Sequence, residues 1–141
     1  MRLFGLYVLV AWLLAFAAVA QAGELVDKVC AIEKTEGRLA IGLFSQAKGF
    51  PETNQAHKGV YLPVTAREVA HVFSDIPAGE YAVAIFHDSN SNNQLDKNFV
   101  GMPKEGYGFS NNASGFFGPP SFADASFHLN GNATVKVDLK Y

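Results

Sequence analysis

The segment ATVKVDLKY, Ala133 to Tyr141, decides the fold class. Val135, Val137, Leu139 and Tyr141 fall on one face, and Thr134, Lys136, Asp138 and Lys140 fall on the other. A repeat of two with one apolar and one polar face is a β-strand with a single wet side. Working outward, the same period recurs. GEYAVAIFHD, Gly79 to Asp88, puts Tyr81, Val83 and Ile85 on one face and the small Ala82 and Ala84 on the other. GRLAIGLFSQ aligns Leu39, Ile41 and Leu43. Further strands are expected over 25–33, 59–64, 68–74 and 126–129, and helical periodicity is almost absent.

Turn chemistry separates these runs. Glu36-Gly37 reads as a tight turn joining the first two strands, and Ile76-Pro77-Ala78-Gly79 as another, with Pro fixing its own φ and Gly supplying the permissive position. Asn130-Gly131 predicts a hairpin between the last two strands. About seven short strands with such punctuation predict an all-β, antiparallel β-sandwich. The chain of 141 residues, 49% hydrophobic and 13% aromatic, is long enough for one domain with its own core.

The first 22 residues stand apart. Arg2 is their only charge, an apolar run extends from Leu3 to Ala20, and Ala20-Gln21-Ala22 fits a small-x-small cleavage site. Residues 1–22 are therefore expected to be a secretory signal, leaving a domain over 23–141 with no membrane-spanning segment and a periplasmic or secreted location. The competing reading is an uncleaved anchor, since the run just reaches the length that spans a bilayer. The 11 basic and 13 acidic residues give no electrostatic case for nucleic acid as a partner. Cys30, the single cysteine, reads as a small buried hydrophobe in the first strand.

Between Asp88 and about Ala123 the strand pattern stops. Gly, Asn, Ser and Pro dominate, yet Phe99, Tyr107, Phe109, Phe116, Phe117 and Phe122 lie within it. Disordered segments are poor in aromatics, so one long ordered loop is expected, folded over the sandwich with its rings packed. Fixing its backbone costs roughly 1–2 kcal/mol per residue, which buried rings and a bound ion would offset. FHDSNSNNQLDKN, Phe86 to Asn98, offers the ion ligands. Asp88, Asn90 and Asn92 supply side-chain oxygens at alternate positions, Gln94 a backbone carbonyl, and Asp96 a second carboxylate, the spacing of a calcium loop. Asn93 stands at the sixth position, where such loops carry Gly, and Asn tolerates the left-handed conformation needed there. Phe99 occupies the twelfth position in place of a bidentate Glu, and Asn98 and Glu105 are the candidate replacements. With two certain carboxylates, Ca²⁺ would bind weakly, in the range of about 10⁻⁴–10⁻³ M. The alternative is an Asn-rich turn held by its own side-chain hydrogen bonds.

The string FHDSNSNNQLDKNFVGMPKEGYGFSNNASGFFGPPSF, Phe86 to Phe122, resembles the signature of the DUF2141 family of exported bacterial proteins. The resemblance extends from about Arg38 onward and departs at Asn93, where the family usually has Gly. It implies a small sandwich of the transthyretin-like or immunoglobulin-like kind, from a Gram-negative source, with an unassigned role. In its second half, Tyr107 and Phe109 alternate with glycines and Phe117 precedes the stiff Gly118-Pro119-Pro120. These three rings are either a platform for a glycan, a peptide or a lipid, or a cover over the open end of the sandwich, and an envelope protein, a glycan or a peptide is the expected partner.

No zinc-protease motif, P-loop or nucleophile elbow occurs. Three functions follow from the sequence. The leading one is a non-enzymatic exported module acting in binding or as an envelope accessory. The second is a metal-assisted periplasmic hydrolase using His87, Asp88 or Glu105. The third is a carrier of a small apolar ligand held between loop and sheet.

Overall fold

The computed structural model describes residues 20–141. The leader expected over 1–22 thus falls outside the described residues except for its last three. Within them no helix is long and apolar enough to cross a membrane. Eight strands form: β1 (Gly23–Cys30), β2 (Arg38–Phe44), β3 (Lys58–Pro63), β4 (Val69–Ile76), β5 (Gly79–Asp88), β6 (Tyr107–Phe109), β7 (Phe127–Leu129) and β8 (Ala133–Asp138). One short helix, α1 (Phe122–Ala125), precedes β7.

The strands make two sheets, β4-β1-β8 and β3-β2-β5-β6, with β7 joining β5 ahead of β6. Leu25 and Val29 of β1, Phe73 of β4 and Val137 of β8 meet Leu39, Ile41 and Leu43 of β2 and Val83 and Ile85 of β5 in one shared core. The fold is the expected all-β sandwich. Pairing is antiparallel everywhere except between β1 and β8, which run parallel from Leu25↔Ala133 to Cys30↔Asp138.

That parallel pair corrects the hairpin expected at Asn130-Gly131. Strand β7 pairs with β5 in one sheet and β8 with β1 in the other, so the turn carries the chain across the gap between sheets. Gly131 does take a positive φ of 84°, but Asn130 does not, so the two-residue hairpin turn is not formed. Its neighbours set the destination. The Asn130 and Asn132 side chains accept from the backbone N–H groups of Gln21 and Glu24, docking the turn on the start of β1. The turns at Gly37 and Pro77 likewise join strands of different sheets.

Strand β5 is buried without interruption from Tyr81 to Asp88. One face lies on the shared core. The other carries Ala82 and Ala84, whose small side chains admit a second cluster of Phe44, Phe109 and Ala125, with Phe50 and Phe122 packed around it. Phe50 meets Phe44 edge-on at 5.1 Å and Phe122 at 5.8 Å. The long loop therefore does fold over the sheet, and Tyr107, Phe109 and Phe122 pack there. Phe99, Phe116 and Phe117 do not: they are 100%, 92% and 95% exposed. Phe99 lies in a turn and Phe116 and Phe117 in bends, outside both apolar clusters. Cys30 ends β1 and is half-buried.

Asp27 is the anomaly of the core. It shares the inward face of β1 with Leu25 and Val29, is fully buried, and neither carboxylate oxygen has a hydrogen-bond partner. Burial pushes its pKa up to about 7, because an unpaired carboxylate in an apolar interior disfavours its charged form.

Candidate functional site

The loop begins where β5 leaves the sheet. Asp88 is its first residue and is fully buried. Its Oδ1 accepts from the backbone N–H of Asn92 at 3.0 Å and its Oδ2 from that of Asn93 at 2.8 Å. Arg38, opposite Asp88 in the β2–β5 register, donates through Nε to Oδ2 at 3.2 Å and lays its guanidinium on the Tyr61 ring at 4.4 Å. The sequence reading missed Arg38, although the pairing of β2 with β5 puts it beside Asp88. Asn93 has a φ of 66°, the left-handed conformation that asparagine adopts more readily than most residues.

Asp96 closes the loop from the other end. Its Oδ2 accepts from the Asn90 amide nitrogen at 2.6 Å and its Oδ1 from that of Asn92 at 2.8 Å. The Asn92 amide first, then that of Asn90, holds the Asp96 carboxyl below the usual carboxylate range. Gln94 takes part through its backbone N–H, which donates to the Asn92 Oδ1 at 3.0 Å. Glu105 is buried and spans the two ends: Oε2 accepts from the Ser89 N–H and hydroxyl, and Oε1 from the Asp96 N–H. Asn98, the other candidate for the missing twelfth ligand, turns away and caps a distal turn instead.

Asp88, Asn90, Asn92, Asp96 and Glu105 are thus drawn into one hydrogen-bonded loop. Among the described residues no three His, Cys, Asp or Glu side chains converge as a metal cluster. The acids are bridged by amides and backbone N–H groups. The available donors are carboxylate and amide oxygens, with no thiol or imidazole among them, so the chemistry of the set suits a hard cation.

His87 faces the opposite way. Its Nε2 lies 2.7 Å from the Glu36 carbonyl and its Nδ1 2.7 Å from the Tyr141 hydroxyl. A carbonyl only accepts, so Nε2 donates to Glu36, and the Tyr141 hydroxyl holds the other ring nitrogen. Burial raises the Tyr141 pKa, which keeps that hydroxyl protonated. Both ring nitrogens are engaged in tying the end of the chain to β5, leaving neither for a ligand or a proton transfer.

The three rings of the expected platform separate. Tyr107 and Phe109 stand on β6 with centroids 6.1 Å apart, over the second cluster. Phe117 stacks edge-on against Phe116 at 4.5 Å, out in solvent. The residues after β6 have another role, which no sequence signal announced. Strand β6 pairs with β5 at 84–86 and β7 at 79–81, leaving a gap between them. The Ser110 hydroxyl fills it, accepting from the Val83 N–H at 2.9 Å and donating to the Ala125 carbonyl. Asn111 donates to the carbonyls of Asp124 and Ser126, and Asn112 accepts from the Asp138 N–H.

A family model described as an uncharacterized protein conserved in bacteria, DUF2141, matches residues 28–137. The chain belongs to the DUF2141 family. That match takes in both sheets and the whole of the loop from Asp88 to Ser121, so the loop and its Ser110–Asn112 stitch are parts of the DUF2141 domain itself. No curated protein and no solved structure matches the chain.

Proposed function

We propose that this DUF2141 protein is an exported, non-catalytic β-sandwich module, of the transthyretin-like or immunoglobulin-like kind. Its long loop is organised around a weakly bound hard cation such as Ca²⁺, and it serves as a binding or envelope accessory domain in the periplasm or outside the cell. The observation that carries the ion reading is the gathering of Asp88, Asn90, Asn92, Asp96 and Glu105 into one loop whose sixth residue, Asn93, holds a φ of 66°. Asp88 serves mainly as the loop's internal anchor, since the Asn92 and Asn93 N–H groups and Arg38 already occupy it. Asp96, Asn90 and Asn92 are the groups that would hold the ion, because Ser89 and the Asp96 N–H engage Glu105 as fully as Asp88 is engaged. The cation would supply the charge that lets these oxygens approach one another, and so favour the closed loop. The engaged ring of His87 weighs on the side of a binding module rather than a hydrolase.

Thermal unfolding of residues 20–141 with Ca²⁺ and with chelator tests the ion reading. An ion that binds only the folded state should stabilise it by about 2.7 kcal/mol at one hundred times its Kd. Asp96→Asn should abolish the calcium-dependent part of the shift, while its midpoint in chelator reports separately the bonds lost to Asn90 and Asn92. Asp88→Ala is the wrong probe, because it uncaps the loop with or without an ion. A midpoint indifferent to Ca²⁺ at about 100 mM, one hundred times the weaker end of the expected Kd range, removes the cation from this reading.

A further inference from the structure

The distal part of the loop is a small hairpin, and its layers are ordered from base to tip. At the base, the Asp96 N–H donates to Glu105 and the Asp96 carbonyl accepts from the Lys104 N–H at 2.7 Å. Lys97 and Lys104 come next, both exposed and neither in an ion pair among the described residues. Lys97 then bridges to Pro103 across the hairpin. Beyond them the chain reads NFVGMP, with no charge. Phe99 is 100% exposed, Val100 64% and Met102 57%. A Cβ placed on Gly101 would meet nothing within 4 Å, so the tip stands clear of the rest of the molecule.

The backbone of this tip is unusually self-sufficient. The Asn98 N–H donates to the Met102 carbonyl at 2.8 Å, and the Gly101 N–H to the Asn98 carbonyl at 3.0 Å. The Asn98 side-chain oxygen accepts from the N–H groups of both Val100 and Met102, each at 3.0 Å. Four of the five amide donors from Asn98 to Met102 are therefore satisfied inside the turn, and the Phe99 N–H and the carbonyls of Phe99, Val100 and Gly101 are left without a partner among the described residues. Three large apolar side chains in water need no such arrangement, since water would hydrate those amides. An environment without hydrogen-bonding groups does need it. The two lysines below the tip lie where the long cationic stems of an inserted segment reach lipid phosphates.

From this layering we infer that the Asn98–Pro103 tip inserts into the boundary between headgroups and acyl chains of a bilayer containing anionic lipid. Phe99, Val100 and Met102 enter the apolar layer, and Lys97 and Lys104 remain at the phosphates. Interfacial segments bury their apolar side about 5–10 Å deep, a depth within reach of a single turn. The inference does not depend on a bound cation, because Asn98 holds the tip. It gives the accessory module a location against a membrane surface.

The test uses residues 20–141, which contain both sheets and both apolar clusters and omit the apolar run at 3–19 that would bind vesicles by itself. The chain's one tryptophan, Trp12, is then absent, so Phe99→Trp supplies a single fluorophore at the tip. Its emission should shift to the blue, and become quenchable by brominated acyl chains, with phosphatidylethanolamine–phosphatidylglycerol vesicles. In flotation assays with the same vesicles, Phe99→Ser with Met102→Ser should lower the partition coefficient by at least about tenfold. Lys97→Gln and Lys104→Gln should each lower it by about fivefold, an effect lost at high salt. Phe116→Ser with Phe117→Ser should leave the tip fluorescence response unchanged. All of these positions are exposed, and unaltered thermal midpoints would show that the variants fold. The measurements are made with Ca²⁺ and with chelator. A shift in both buffers upholds the inference, and a shift seen only with Ca²⁺ overturns it, because insertion would then depend on the cation. No shift in either buffer overturns it, as does flotation that the tip substitutions leave intact. A shift produced by a soluble protein fraction and not by vesicles assigns the tip to a protein partner and also overturns it.

Discussion

Asp27 is where one residue has the largest consequence for the fold. In the folded chain its carboxyl ionises at about 7, against 3.8 in the unfolded chain. The fold therefore binds a proton that the unfolded chain releases. The contribution of Asp27 is fully present below pH 3.8, falls as pH rises from there to about 7, and is smaller by up to about 4 kcal/mol beyond it. His71, opposite Asp27 on β4, has its own pKa lowered by burial and opposes this trend over a narrower range just below its ordinary value. Denaturant titrations of wild type and Asp27→Val across pH 4–9 isolate the carboxyl. The variant should be the more stable above neutrality and should lose most of the slope. Ser110 is the second such residue. Ser110→Ala leaves the Val83 N–H without a partner inside the sheet and should cost about 1–3 kcal/mol, measured as a lower denaturant midpoint. Asp27 was readable in retrospect, since Leu25-x-Asp27-x-Val29 keeps the alternation of an inward face. Ser110 was not, because its value arises from a gap between β6 and β7 that exists only once both have docked on β5.

Among the elements, β5 and β6 organise the site. Strand β5 needs cover on both faces, and the core shared with β4-β1-β8 and the aromatic cluster provide it, while β2, β6 and β7 pair with its edges. Strand β6 approaches β8 so closely that a Cβ on Gly108 would lie 2.6 Å from a Val137 methyl and 3.1 Å from the Asp138 carbonyl oxygen. Gly108→Ala should therefore cost about 1–3 kcal/mol by overpacking, and should speed exchange of the Tyr107 amide, which donates to the Lys140 carbonyl. The sequence disclosed the glycine pattern around Tyr107 and Phe109 but gave no reason to make those three residues a strand. A run so short lacks a periodic signal, and its pairing with Ala84–Phe86 is a tertiary fact. At the other end of the chain, Tyr141→Phe removes the hydroxyl shared by His87 and the Glu33 N–H. A loss of about 1 kcal/mol is expected from the missing bond, with the cost visible in the unfolding midpoint.

At the scale of the whole molecule, cohesion comes from the two sheets facing one another, while the projecting turns carry the surface chemistry. Native-state hydrogen exchange should then find its slowest amides in β1, β2 and β5, each paired on both sides, and its fastest in the exposed turns. If Ca²⁺ binds, protection should rise at Ser89–Asp96 and leave the sheets unchanged. The sequence by itself determined the β class, most strand positions, the oxygen-rich spacing after His87 and the family signature. Those features rest on local alternation, on local turn chemistry and on residue order, all of which a linear string preserves. Only the tertiary structure decided that Asn130-Gly131 crosses between sheets, that β1 and β8 run parallel, and that Arg38 secures Asp88. It also decided that His87 points to Glu36 and Tyr141, and that Phe99, Phe116 and Phe117 stay outside while Phe109 and Phe122 are covered. Each of these depends on which distant segment lies alongside. A turn sequence fixes how sharply the chain reverses, but the partner across the gap fixes which sheet receives it.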